Sequence, residues 1–132
     1  MGERSDHWFL KHVLEKGSSF APVMVNTWVP PCDVFETEES LMVVMELAGV
    51  DSSEVEVLVK GQRLIVQGVR KEIPSPLKKD YYLMELNFGP FYREIEFREE
   101  FDPDMVRACY RQGFLIIECR KRAPEERRIP VI

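Results

Sequence analysis

The chain has 132 residues, 45% hydrophobic and 31% charged, with a formal net charge of −5. That length holds one domain with short extensions, and the acidic balance argues against nucleic-acid binding driven by a basic surface. No apolar run approaches the roughly 18–20 residues that span a bilayer as a helix, and the start MGERSDHWFLKHVLEKG lacks the apolar core of a secretory signal.

Residues 7–16, HWFLKHVLEK, predict a short helix. Ser5 or Asp6 caps its start and Gly17 ends it. Leu10, Val13 and Leu14 form an apolar stripe beside Trp8 and Phe9. A helix of about ten residues is marginal alone in water, so it needs a surface to lie against. His7 and His12 do not share a helix face and read as solvated side chains rather than metal ligands. The segment GSSFAPVMVNTWVPP carries Phe20 and Trp28 without clear periodicity. Residues 1–27 are therefore read as an arm.

From Pro31 onward the chain breaks into short β-rich runs separated by turn residues. CDVFETEE, LMVVMELAG, VEVLVKG and RLIVQGVRK are the first four expected strands, with Gly61-Gln62 turning between the last two. The stretch 71–81, KEIPSPLKKDY, is a long loop, and YYLMELNF is a possible fifth strand. FYREIEFRE alternates, with Phe91, Arg93, Ile95 and Phe97 on one side. FREEFDPDM is a strand-end loop in which Asp102-Pro103 favours a turn. MVRACYRQGFLIIECRK is a hairpin about Gln112-Gly113. A two-residue turn pairs Arg111 with Phe114, Cys109 with Ile116 and Val106 with Cys119. The pattern as a whole predicts an all-β fold, a β-sandwich of the immunoglobulin-like kind, with a short, partly helical arm before it and an extended tail after it.

The three cysteines, Cys32, Cys109 and Cys119, fit a reducing cytoplasm better than a disulfide framework. In the expected register Cys109 and Cys119 point to opposite sheet faces, so buried or half-buried thiols are the default. No nucleophile, metal-ligand or phosphate-loop motif is present, and the sandwich carries no histidine. Glu99-Glu100 and Asp102-Asp104 read as solvated acids, not a carboxylate site. Neither a catalytic residue, a metal nor a cofactor is expected. Arg93 stands on the apolar side of its strand, where it needs carboxylates or a neighbouring chain, unless its stem snorkels. The terminus RRIPVI is apolar where ends are usually polar, so Ile129, Pro130, Val131 and Ile132 dock either on their own domain or elsewhere.

Taken together, WVPPCDVFETEESLMVVMELAGVDSSEVEV, the A-x-x-x-x-G-x-L pattern of Ala108, Gly113 and Leu115, and Ile129 with Val131 as an I-x-I/V motif resemble the α-crystallin domain of small heat shock proteins, bacterial and plant types included. YYLMELNFGPFYR is similar to the segment that holds the family's swapped strand. Leu47-Ala48 stands where the family often has Leu-Pro, and Arg98-Glu99 where an apolar-Pro pair is common.

The resemblance implies a division into an arm (1–27), an α-crystallin domain (28–122) and a tail (123–132). It implies a homodimer through Tyr81, Tyr82, Glu85, Phe91 and Arg93. It further implies a hook, Ile129-Pro130-Val131, that docks in a groove of Val55, Val57, Val59, Val106 and Ala108 and builds larger homo-oligomers. The activity implied is that of an ATP-independent holdase chaperone in the cytoplasm. Unfolded clients would meet Trp8, Phe9, Leu10, Val13, Leu14 and Phe20. Partners implied are thus other copies and client proteins, with no nucleic acid and no membrane span. The alternative is a monomeric interaction module of the CS-domain co-chaperone type.

Overall fold

Seven strands form two antiparallel sheets in a computed structural model, which describes residues 27–123 and 128–132. They are β1 (Cys32–Glu36), β2 (Ser40–Glu46), β3 (Val55–Lys60), β4 (Arg63–Arg70), β5 (Gly89–Glu96), β6 (Phe101–Arg111) and β7 (Phe114–Lys121). One sheet runs β1-β2-β7-β6 and the other β3-β4-β5. The expected sandwich is therefore the fold. The predicted helix 7–16 and the arm before Thr27 lie outside the described residues.

Alternation decides what the two sheets bury between them. Leu41, Val43 and Met45 on β2, Leu64 and Val66 on β4, Phe91 and Ile95 on β5, and Leu115, Ile117 and Cys119 on β7 form one apolar cluster. Each fully buried aliphatic side chain of this kind contributes about 1.5–3 kcal/mol. The β6–β7 turn has Gln112 at φ 53° and Gly113 at φ 85°, the left-handed pair that a two-residue hairpin turn requires. It fixes the register Val106↔Cys119, Cys109↔Ile116 and Arg111↔Phe114, as the sequence predicted.

Two connections tie the layers together. Trp28 lies alongside β5, where its amide donates to the Pro90 carbonyl and its own carbonyl accepts from Tyr92. Its indole packs on Phe91 at 5.4 Å and donates to the Gly89 carbonyl. The chain then crosses to the other sheet, where Pro31 accepts from the Glu46 amide. At the opposite end, the Gln62 side chain donates to the Phe101 carbonyl and accepts from the Phe101 amide, both at 2.9 Å. A side-chain amide here replaces a rung of backbone pairing between the β3–β4 hairpin and β6.

Two sequence expectations change. Residues 81–88 form no strand; they continue an exposed connection from 71 to 88. An isolated extended segment has nothing to satisfy its backbone groups, so without a neighbouring strand it stays irregular. Asp102-Pro103 does not end a strand either. It belongs to β6, in an irregular stretch where the register slips between Phe101 and Val106. The turn tendency survives locally, because the Asp102 carboxylate accepts from the Asp104 amide.

Candidate docking groove and assembly surfaces

β3 and β6 are edge strands of different sheets. Where these edges run side by side, small and branched residues leave a hollow of about 120 Å³, lined by Ser52, Val55, Val57, Ala108, Cys109, Tyr110 and Leu115. An apolar cavity of about 150 Å³ accommodates a benzene-sized guest, so this one admits a single branched aliphatic side chain and leaves a second at the rim. The floor is rigid. Val55 is buried, and Val57 and Tyr110 pack against the core. The Tyr110 hydroxyl donates to the Leu47 carbonyl at 2.6 Å, which ties this lining side chain to the end of β2. Burial raises the Tyr110 phenol's pKa, with the Val50 backbone acting in the opposite direction.

Val55, Val57 and Ala108 are thus brought together. Val59 and Val106 do not line the hollow. They lie toward the other end of the two strands, near the Gly61 turn and the β6 irregularity, where Val106 packs inward instead. The sequence reading missed Ser52, Cys109, Tyr110 and Leu115. Alternation from Ala108 could have supplied Tyr110; the others depend on how two distant edges meet.

Ile129 is 75% exposed and Val131 96%, so the hook is not docked on its own domain. Of the residues expected at a dimer contact, Tyr81, Tyr82 and Glu85 lie in the exposed connection, next to the exposed Leu83, Met84 and Leu86. Phe91 requires correction. It is fully buried beneath Trp28 and belongs to the core, as its place in the alternation implied. Arg93 is half-buried, and its guanidinium donates to the Pro30 carbonyl at 3.0 Å, a partner within the same chain. β1, at the free edge of its sheet, exposes Val34 and Phe35. Trp8, Phe9, Leu10, Val13, Leu14 and Phe20 lie outside the described residues.

At the root of the exposed connection, Arg70 is held from several sides. It donates to the Asn87 and Ala48 carbonyls and stacks over Trp28 at 4.2 Å and Phe88 at 5.6 Å. A planar guanidinium with a forked donor set suits such a junction better than an ammonium.

Several charged groups pair with one another. Lys121 bridges Glu36 and Glu99, Arg120 meets Glu39, and Arg122 meets Glu100. Arg107 and Ser40 hydrogen-bond the Glu118 carboxylate and hold its pKa low. Among the described residues no group of three or more His, Cys, Asp or Glu is placed to hold a metal, and no helix is long and apolar enough to cross a membrane. Cys119 is buried and its thiol is pushed up to about 11 by desolvation. Cys32 is half-buried and also raised by desolvation, partly offset by Arg93. Cys109 departs from the buried default and is exposed. Its strand parity turns it away from the core, beside Ile116.

Comparison with known proteins agrees with this architecture. The Hsp20/alpha crystallin family model matches residues 33–132. Spore protein SP21 of Stigmatella aurantiaca is 35% identical over 95 residues, covering 72% of this chain but only 56% of that protein. A probable 15 kDa heat shock protein of Leptospira interrogans is 26% identical over 107 residues, 81% of each chain. Among solved structures, a small heat-shock protein from Xylella fastidiosa superposes with a TM-score of 0.67 at 30% identity, over 80% of this chain and 97% of that one.

Proposed function

Because this chain belongs to the Hsp20/alpha crystallin family, whose members support a chaperone role, we propose that it is an ATP-independent holdase that keeps unfolding proteins from aggregating. The observation that carries the reading is the pairing of an apolar groove between β3 and β6 with an exposed Ile129-Pro130-Val131 segment on the same chain. Residues two apart in an extended segment share a side, and Pro130 reduces the entropy lost on docking. Burying two aliphatic side chains yields roughly 3–6 kcal/mol before ordering costs. Each contact is therefore weak, on the order of millimolar to micromolar. Many such contacts across linked subunits hold an assembly together while letting copies exchange.

In this reading the hook enters a neighbour's groove. Residues 81–86 add to a partner copy, whose β1 edge with Val34 and Phe35 is open for pairing, and Tyr81, Tyr82 and Glu85 contribute to that dimer. Arg93 braces the crossing at Pro30 behind it. Clients meet the apolar arm around Trp8, Phe9, Leu10, Val13, Leu14 and Phe20, and the groove when a hook leaves it. Association with clients is driven by burial of exposed apolar surface, and the three thiols suit a reducing cytoplasm. A monomeric CS-domain-type module is disfavoured by the tail motif and the long connection before β5.

The decisive experiment heats an aggregation-prone client with and without the protein, no ATP added, and follows light scattering. Suppressed scattering at near-stoichiometric ratios is expected. Unchanged scattering refutes the holdase reading.

A further inference from the structure

The groove and the exposed connection between β4 and β5 meet at one side chain. Arg70 ends β4 and faces Gly89 across the sheet. Its Nε donates to the carbonyl of Asn87, near the end of the exposed connection, at 2.8 Å. Its Nη1 donates to the carbonyl of Ala48, between β2 and β3, at 3.1 Å. The guanidinium stands over the Trp28 ring at 4.2 Å, and that ring is packed on Phe91, so the fork has a fixed platform. From Ala48 the contacts continue toward the groove. The Leu47 amide donates to the Gly113 carbonyl at 2.7 Å, and the Leu47 carbonyl accepts from the Tyr110 hydroxyl at 2.6 Å. A Cβ at Gly113 would stand 3.1 Å from Ala48 Cα, so the two turns are seated directly on each other. Tyr110 lines the groove, as does Ser52 further along the Ala48 connection. Every link from Asn87 to the groove wall is thus a hydrogen bond or a covalent bond. At the other end, residues 71–88 form no strand or helix in the single chain, so seating them on a partner copy changes how that segment is held.

We infer that Arg70 is a positioning residue that couples these two surfaces: a partner copy held on the connection strengthens hook docking in the groove of the same chain. The inference rests on the dimer and hook readings proposed above. A connection seated on a partner fixes the Asn87 carbonyl. That carbonyl holds the guanidinium, and the guanidinium holds Ala48 and, through Leu47, the hydroxyl of Tyr110. A wall fixed before the hook arrives lowers the ordering cost of docking. By linkage the effect is mutual, so a hook in the groove tightens the dimer by the same factor. Couplings of this kind typically amount to about 5–150-fold. A relay of hydrogen bonds with no change of fold belongs at the low end, about 5-fold. Arginine suits the task because its N–H donors are set at fixed angles in one rigid plane, which reaches two carbonyls while stacked on an indole; an ammonium is a point charge without that plane.

The test uses the full chain with Ile129→Gly and Val131→Gly, so that its own hook does not compete, and a fluorescent peptide of residues 123–132 as the probe. Anisotropy reads peptide binding, and analytical ultracentrifugation reads the dimer dissociation constant with and without saturating peptide. In the chain that keeps Arg70, peptide should tighten the dimer about 5-fold. Arg70→Met retains an apolar stem over Trp28 but no donor; it should still bind peptide, and its dimer should no longer respond. Arg70→Lys should recover little of the response. A merely structural role would lower the urea midpoint or the peptide affinity and leave the response in place. Amide-exchange protection of β4 checks the fold of each variant, and Arg70→Lys serves where Arg70→Met does not fold. A dimer that peptide leaves unchanged or weakens, or a full response in either variant, overturns the coupling alone. Peptide that fails to bind, or a chain that stays monomeric, overturns the hook or dimer reading along with it.

Discussion

Gly68 offers the sharpest quantitative prediction. Its φ is not positive, so a side chain there meets no backbone strain. Space is the obstacle. A Cβ at Gly68 would stand 2.1 Å from the Glu54 carbonyl oxygen and 2.6 Å from Phe91 Cζ. Neither neighbour yields cheaply, since one is backbone and the other is a fully buried ring wedged against Trp28. Overpacking a tight core costs typically about 1–3 kcal/mol, sometimes more, and two hard contacts place Gly68→Ala at about 3 kcal/mol. With a urea m-value of about 2 kcal/mol/M for a domain of this size, the unfolding midpoint falls by about 1.5 M. Displacing Glu54 also moves Val55, the residue after it, which lines the groove. The folded fraction of the variant should consequently assemble less well. Urea titration followed by far-UV circular dichroism reads the first effect, and light scattering coupled to size-exclusion chromatography reads the second. A wild-type midpoint for Gly68→Ala would refute the close-approach argument.

Replacing Ile129 and Val131 together with Gly should shrink the assembly to a dimer without moving the urea midpoint, and native mass spectrometry that returns the wild-type mass would remove the hook's role. Arg93→Ala loses a charged donor to the Pro30 carbonyl, worth about 1.5–3 kcal/mol when buried and less at this half-buried site; the urea midpoint should fall measurably, and an unchanged midpoint would mean the side chain only snorkels. The raised Cys119 thiol predicts a pH effect. The unfolded chain ionises this group near the ordinary thiol value of 9.0 and the folded chain at about 11, so its contribution is complete below pH 9 and lost as pH climbs to about 11. Cys119→Ala should flatten that portion of the stability-versus-pH curve, and parallel curves for variant and parent would contradict it.

Local chemistry made much of the fold readable. Gln112-Gly113 can adopt the left-handed pair on its own, so the hairpin register followed from two residues. Alternation along FYREIEFRE placed Phe91 and Ile95 inward before any partner strand was known. What escaped the reading was set by distant contacts. Nothing near Gly68 signals that Glu54 and Phe91 converge on it. Trp28 opens the domain in the sequence, yet nothing near it signals that its backbone hydrogen-bonds to Pro90 and Tyr92, more than sixty residues away. Parity separated Cys109 from Cys119, but β7 is apolar on both faces, with Leu115 and Ile117 on one and Phe114 and Ile116 on the other. Which thiol would face water could not follow from that pattern. The groove was legible only by resemblance, because its walls come from edges of two different sheets.

The exposed connection between β4 and β5 bears on how such a protein can diversify. These two strands are direct neighbours, and Arg70 faces Gly89 across the sheet. A tight turn of two residues could link them. The stretch from 71 to 88 is thus an insert that the sandwich itself does not require. Grafting in another insert, or trimming this one to a short turn, should leave a self-sufficient module whose appetite for companions has been rewritten while its architecture stands.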